Sequence, residues 1–127
     1  MPHRISILVS VVLALAAMGT ARTAVAAEPP SFRLAIVNHR FQPATLTIPA
    51  NTKVKLVVEN RDATPEEFES NDFDREKIIL PNSRAVIFVG PLPPGRYRFF
   101  GEFNPATAQG VLRVEGGHAR DCPAGLP

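Results

Sequence analysis

The sequence predicts an all-β domain built as an antiparallel sandwich. Short runs rich in Val, Ile, Leu, Phe and Thr alternate apolar with polar residues, which is the period-two pattern of half-buried strands. Pro, Gly, Asn and Asp separate these runs, and turns favour these residues. Seven such runs within about ninety residues are typical of a β-sandwich.

The strand candidates follow one another at short intervals. The clearest alternation lies in SFRLAIV, KVKLVVE, RAVIFV and GRYRFFG, and turn sequences such as PAN, NRD and PLPPG separate the runs. Only residues 106–109 are compatible with a brief helical turn. The seven predicted strands are residues 31–37, 44–48, 53–59, 77–80, 84–89, 95–101 and 110–115.

Residues 1–26 are predicted to be a secretory signal peptide. Residues 1–4 are positively charged, residues 5–17 are almost wholly apolar, and small residues near 24–27 suit cleavage. About thirteen apolar residues are fewer than the roughly twenty that a spanning helix needs, so a retained anchor is the less favoured alternative. We expect a periplasmic or secreted protein that does not span the membrane after cleavage.

Removal of the signal leaves one domain, residues 27–115, and a tail, residues 116–127, that we expect to be flexible. Loss of Arg4 and Arg22 reduces the fourteen Lys and Arg residues to twelve, which balance the twelve Asp and Glu residues. No clustered basic face suggests nucleic acid as a partner. Cys122 is the only cysteine and lies in the tail; it either pairs between chains or is incidental.

The segment from Asp62 to Glu76 carries seven carboxylates and one base in fifteen residues. Like charges at this density repel one another or find cations. On an extended chain Glu67 and Glu69 face one side, and Phe68 faces the other, toward the core. The segment is therefore a candidate cation site, and a solvated acidic rim without specific binding is the alternative.

The aromatic residues divide into two groups. We expect Phe88, Tyr97 and Phe99 in the core, where burial of each ring stabilises the fold. Phe100 and Phe103 either pack at the edge of the core or form an exposed patch suited to docking.

The order of motifs resembles a known family. The chain reads FQPATLTIPANTKVKLVVEN, RDATPEEFES, REKIILP, PLPPGRYRFFGEF and TAQGVLRVE. It is similar over residues 32–115 to the cupredoxin-like domains found with bacterial ferrous-iron permeases, including the N-terminal domain of the EfeO type. The resemblance implies a cupredoxin-like Greek-key β-sandwich of about seven to eight strands. It also implies a membrane iron permease, or another envelope component of iron uptake, as partner.

The chain lacks the ligands of a type 1 copper site, which are two histidines, a cysteine thiolate and a weak axial methionine. Gly101 stands at the cysteine position, glutamates beginning at Glu66 stand at the first histidine position, and the loop 102–109 has no ligand histidine or methionine. A type 1 copper site is therefore excluded.

The residues that remain offer a site of oxygen ligands, which suits iron, manganese or non-blue copper better than Cu(I). His39 is a further possible ligand beside Phe41, whose position carries a cysteine in some relatives. Relatives also often carry histidine at the positions of Asn71 and Asn104. The expected ligands are Glu67, Glu69 and Glu102, with Glu66 and Glu76 as surrounding charge and Glu76 as a fourth candidate ligand.

We therefore expect a metal-binding protein that assists a ferrous-iron permease by handling metal or an electron. No nucleophile and base pair indicates an enzyme, and oxidation of a metal substrate is the one activity compatible with the residues. The alternative is a metal-free interaction module that docks a permease or oxidase through the end of the sandwich bearing Phe100 and Phe103.

Overall fold

The computed structural model describes residues 19–23 and 27–116, and this part of the chain contains nine strands and no helix. Most of the predicted signal peptide and nearly all of the predicted tail, including Cys122, lie outside the described residues. The described residues include no apolar helix long enough to cross a membrane. The strands are β1 (Ser31–Val37), β2 (Arg40–Gln42), β3 (Thr45–Pro49), β4 (Val54–Asn60), β5 (Glu66–Ser70), β6 (Arg75–Ile79), β7 (Ser83–Val89), β8 (Gly95–Gly101) and β9 (Gln109–Glu115).

The strands form two sheets. One sheet has four strands in the order β2-β1-β4-β7, and the other has five in the order β3-β9-β8-β5-β6. The pairs β1–β4 and β3–β9 are parallel, and the other strand pairs are antiparallel. The prediction of an all-β sandwich is confirmed, but the expectation that it is antiparallel throughout is wrong, because β1 runs parallel to β4 and β3 runs parallel to β9.

All seven predicted strands are present, and β2 and β5 are additional. Strand β5 escaped prediction as a strand because acidic residues are rare in β-sheets. Its pairing with β6 on one side and β8 on the other holds it extended. Residues 106–109 form no helix; a backbone hydrogen bond from Ala108 N to Asn104 O closes a turn there.

An aromatic cluster fills the centre of the core. The Phe99 ring lies 4.9 Å from that of Phe41, edge to face, and 5.1 Å from that of Phe68 in a stacked arrangement. All three side chains are buried, and each such burial contributes about 1.5–3 kcal/mol. The predictions that Phe68 faces inward and that Phe99 lies in the core are confirmed.

The prediction that Phe88 lies in the core is wrong. Its neighbours Ile87 and Val89 are buried, and the alternation of β7 therefore turns Phe88 outward, where it is 44% exposed. Lys53 Nζ lies 4.9 Å from the centre of its ring. Tyr97 is partly buried against the core, and its hydroxyl donates to Pro93 O at 2.8 Å.

A buried asparagine fixes the turn that leads into β5. The Asn60 side chain donates to Ile79 O at 3.1 Å, and its Oδ1 accepts from Asp62 N at 3.0 Å. The Asp62 carboxylate in turn accepts from the backbone amides of Asn38 and His39 at 2.8 and 2.9 Å. These bonds join the two sheets at this turn and set where β5 begins.

Candidate metal centre

The two sides of β5 carry different kinds of site. Glu66, Phe68 and Ser70 alternate along one side and are buried. Glu67 and Glu69 alternate along the other, which is the outer side of the five-stranded sheet. The prediction that Glu67 and Glu69 share one side, opposite Phe68, is confirmed.

Neighbouring strands bring two more carboxyl groups to this outer side. Glu76 on β6 lies directly opposite Glu69. Glu102 follows β8, and its backbone N donates to Glu67 O at 2.9 Å, which places the two residues side by side. We call Glu67, Glu69, Glu76 and Glu102 the acidic face.

The carboxyl groups of the acidic face oppose one another's ionisation. The Glu67 carboxyl group lies beside that of Glu76, and the Glu69 carboxyl group lies beside that of Glu102. A side-chain hydrogen bond with Glu76, desolvation, and the charges of Glu76, Glu69 and Glu102 raise the pKa of Glu67 to about 7. Desolvation and the neighbouring Glu102 and Glu76 also raise the pKa of Glu69.

The acidic face consists of hard oxygen donors, which suit iron, manganese or non-blue copper. Within residues 19–23 and 27–116, however, no three His, Cys, Asp or Glu side chains are arranged to hold a metal ion. A cation at this face would require the side chains to turn toward it.

Glu66 does not belong to the acidic face. It is 1% exposed, and its Oε1 accepts from the backbone N of Glu67 and of Phe103, each at 3.0 Å. Its Oε2 accepts from Asn104 Nδ2 at 2.7 Å. The expectation of an outer charge is therefore wrong for Glu66, because strand alternation turns it inward with Phe68. The two-residue spacing from Phe68 was the sequence signal that could have shown this.

Gly101, at the position that a type 1 copper site fills with cysteine, has no space for a side chain. A Cβ there would lie 2.6 Å from Glu66 Cδ and 2.7 Å from Ala108 Cβ, closer than real Cβ contacts allow. A type 1 copper ion therefore does not fit this end of the sandwich, where a buried carboxylate and a methyl group take up the space. The exclusion made from the ligand inventory agrees with this geometry.

The other residues named from the sequence lie elsewhere. His39 is in the turn between β1 and β2, and its Nδ1 lies 3.6 Å from Asp62 Oδ2. Phe41 packs inside the core, so it contributes no ligand. Asn71 is exposed after β5 and lines a groove of about 600 Å³ with Arg98 and residues of β8 and β9.

The two aromatic residues proposed for docking are accessible. Phe103 is 47% exposed, and Phe100 is half-buried on the outer side of β8 opposite Glu69. Ile78, exposed on β6, lies opposite Glu67. The acidic face is therefore bordered by apolar side chains on both neighbouring strands.

The chain is similar in sequence to a known bacterial protein. The chain is 44% identical over 82 residues to the uncharacterized protein RP394 of Rickettsia prowazekii (strain Madrid E). The matched region spans 65% of this chain and 66% of that protein, just under two thirds of its length.

The structure is also similar to solved structures of two copper-binding proteins and a cupredoxin. Auracyanin A, a blue copper protein of Chloroflexus aurantiacus, matches 69% of this chain and 100% of its own with a TM-score of 0.60 and 13% identity. The metal-binding domain of the Cu(I)-exporting P-type ATPase CopA of Streptococcus pneumoniae D39 matches 67% of this chain and 84% of its own, with a TM-score of 0.57 and 15% identity. A purple cupredoxin of Nitrosopumilus maritimus matches 65% and 98%, with a TM-score of 0.51 and 21% identity. At these identities the likeness shows the fold alone.

The family assignment comes from the sequence. The profile of the cupredoxin-like domain matches residues 7–114, most of the chain. The two-sheet sandwich and the structural matches agree with that profile. The chain belongs to the cupredoxin-like domain family.

Proposed function

We propose that this protein is a periplasmic cupredoxin-like protein that binds iron or non-blue copper through the acidic face. In this role it assists a ferrous-iron uptake permease by handling the metal or an electron. The observation that carries the proposal is the convergence of Glu67, Glu69, Glu76 and Glu102 from β5, β6 and the end of β8 on one outer side of the sheet.

The electrostatics of the acidic face support cation binding. Carboxyl groups that raise one another's pKa are crowded by like charge, and a bound cation relieves that repulsion. Oxygen anions bind Fe(III) more strongly than Fe(II) because of its higher charge, so the face favours the oxidised ion. Oxidation of Fe(II) as a substrate is consistent with this preference, and oxygen consumption in the presence of Fe(II) tests it.

The cellular setting is part of the proposal. The signal-like residues 1–26 support export to the periplasm. The EEFES, REK and FFGEF motifs support a relationship to the permease-associated cupredoxin-like domains, including the EfeO type. Both indicate a membrane iron permease, or another envelope iron-uptake component, as partner.

Calorimetric titration with Fe(II) under anaerobic conditions, and with Fe(III), Cu(II) and Mn(II), tests the binding. The combined substitutions Glu67→Gln and Glu69→Gln remove the charges of two central ligands and keep their shape, so specific binding should be lost. A matched control carries Glu59→Gln and Glu115→Gln. These two carboxylates lie outside the acidic face and pair with Arg61 and Arg113.

The control variant should bind like the original protein. Equal affinity of the Glu67 and Glu69 variant and the original protein would refute the carboxylate site. Binding that is weak and disappears at moderate salt would indicate only a screened acidic rim.

A second function is favoured by the exposure of Phe103 and the partial exposure of Phe100. We propose as the alternative a metal-free module that docks a permease or oxidase through these rings, since the fold by itself does not require a metal. A complex that survives chelation and the two glutamine substitutions, but not Phe103→Ser, would favour docking over metal binding.

A further inference from the structure

The carboxylate of Glu66 is the most extensively bonded side chain at the end of the sandwich where β5 meets the loop 101–108. It accepts hydrogen bonds from Glu67 N, Phe103 N and the Asn104 side chain at 3.0, 3.0 and 2.7 Å. Hydrogen bonds to an ionised acceptor are about twice as strong as neutral ones. No ion pair among the described residues includes Glu66. The three N–H donors therefore offset the cost of burying its carboxylate.

Two of the three donors belong to the loop. Phe103 N and Asn104 Nδ2 both come from the segment that follows β8, whereas Glu66 lies on β5. The loop is also closed on itself, because Gly101 N donates to Ala108 O and Ala108 N donates to Asn104 O, each at 2.8 Å. The carboxylate therefore ties a preformed loop to β5 from within.

The tied loop carries Glu102 of the acidic face. Glu102 lies between Gly101, whose Cβ position is blocked by the Glu66 carboxyl group, and Phe103, whose amide bonds that same group. Its own backbone N donates to Glu67 O at 2.9 Å. Glu66 thus holds the residues on both sides of Glu102, whose exposed side chain lies beside Glu69.

We infer that Glu66 is a positioning residue that, with Asn104 as its partner, holds the loop 101–108 against β5 and so sets Glu102 in the acidic face. The inference rests on the proposed cation binding and adds to it a buried residue that controls the geometry of the exposed one. Glu66 acts through Glu102 and does not touch the cation.

Two variants with the net charge of the original protein test the inference. Asn104→Leu removes the donor to Glu66 Oε2 with little change in volume. The combined exchange of Glu66→Gln with Asn104→Asp reverses the bond, since the new amide donates and the new carboxylate accepts. The amide oxygen at position 66 still accepts from Glu67 N and Phe103 N.

Both variants and the original protein are produced by expression of the full chain and titrated with Mn(II). Amide hydrogen exchange of Glu102 and Phe103 is followed by NMR without metal. Loss of one charge-assisted bond in Asn104→Leu should weaken Mn(II) binding about tenfold and speed exchange at Phe103. The variant with Glu66→Gln and Asn104→Asp should bind Mn(II) within about threefold of the affinity of the original protein. Its Glu102 and Phe103 amides should exchange hydrogen at the rate of the original protein.

Either of two results would overturn the inference. The first is that Asn104→Leu has the same Mn(II) affinity and the same amide hydrogen exchange as the original protein. The second is that the variant with Glu66→Gln and Asn104→Asp loses as much Mn(II) affinity and amide protection as Asn104→Leu. If the original protein itself binds no Mn(II), the cation proposal fails for that metal, and the NMR exchange at Glu102 and Phe103 alone decides whether Glu66 holds the loop.

Discussion

Glu66 and Glu67 are adjacent in the chain and have opposite surroundings. Glu66 faces inward, where three N–H groups bond its carboxylate. Glu67 faces outward, where its carboxyl group meets three other carboxyl groups and its pKa is raised to about 7 by its bond to Glu76, by desolvation and by like charge. A single step along an extended strand separates the two environments.

The comparison shows that the partners of a carboxylate, more than its burial, decide what it does. Glu66 is almost fully buried and satisfied by donors, so it stabilises the fold. Glu67 is also largely covered, but its neighbours are other carboxyl groups, whose charges oppose its ionisation. The inner site contributes stability, and the outer site retains the capacity to bind a cation.

Removal of the inner carboxylate should have the largest effect. Glu66→Ala leaves two backbone N–H groups and the Asn104 amide without their acceptor, and should lower the free energy of unfolding by about 3–5 kcal/mol. Urea unfolding at neutral pH measures the change. Glu115→Ala, on an exposed carboxylate, serves as control and should stay within about 0.5 kcal/mol. A loss below about 1 kcal/mol from Glu66→Ala would contradict the satisfied inner site.

Addition of a cation should stabilise the outer site. If the acidic face binds Mn(II), a concentration one hundred times the Kd stabilises the protein by about 2.7 kcal/mol. Thermal unfolding with and without Mn(II) measures this as a rise in Tm that EDTA reverses. The variant with Glu67→Gln and Glu69→Gln should show no rise, and an equal rise in that variant would place the cation elsewhere.

The outer site should also make stability depend on pH. The pKa of Glu67 is raised from 4.5 to about 7 in the folded protein, so between these values the folded state holds a proton that the unfolded chain has released. Stability therefore falls as pH rises through this window. Urea unfolding from pH 4.5 to 8 in EDTA measures the slope. Glu67→Gln should flatten it, and an unchanged slope would assign the effect to other groups.

The same inward and outward comparison applies to β7, and its outward residue, Phe88, should show the smallest effect. Ile87 is buried, whereas its neighbour Phe88 is 44% exposed and contacts Lys53. Ile87→Ala should cost about 2–5 kcal/mol, and Phe88→Ala about 1 kcal/mol or less. Chemical denaturation of the two variants compares them. Similar losses in the free energy of unfolding from Ile87→Ala and Phe88→Ala would show that Phe88 is covered in solution.

Much of the fold could be predicted from the sequence. Period-two runs identified seven of the nine strands, and the motifs indicated the cupredoxin-like family. Strand β5 was not identified as a strand because Glu66, Glu67 and Glu69 disfavour β-structure on local propensity, while its pairing with β6 and β8 is a tertiary property. The core prediction for Phe88 was wrong because Ile87, Phe88 and Val89 are all apolar, so the sequence does not show which side of β7 faces inward; the structure turns Ile87 and Val89 inward and Phe88 outward.

The sequence by itself determined the all-β class, the absence of type 1 copper ligands and the shared side of Glu67 and Glu69, because composition and strand alternation are local properties. Only the tertiary structure decided that Glu76 and Glu102 join them and that Glu66 bonds the loop 101–108. The reason is physical: register between strands distant in sequence sets which side chains face one another. The number of N–H donors around a carboxylate then separates a structural group from a candidate ligand.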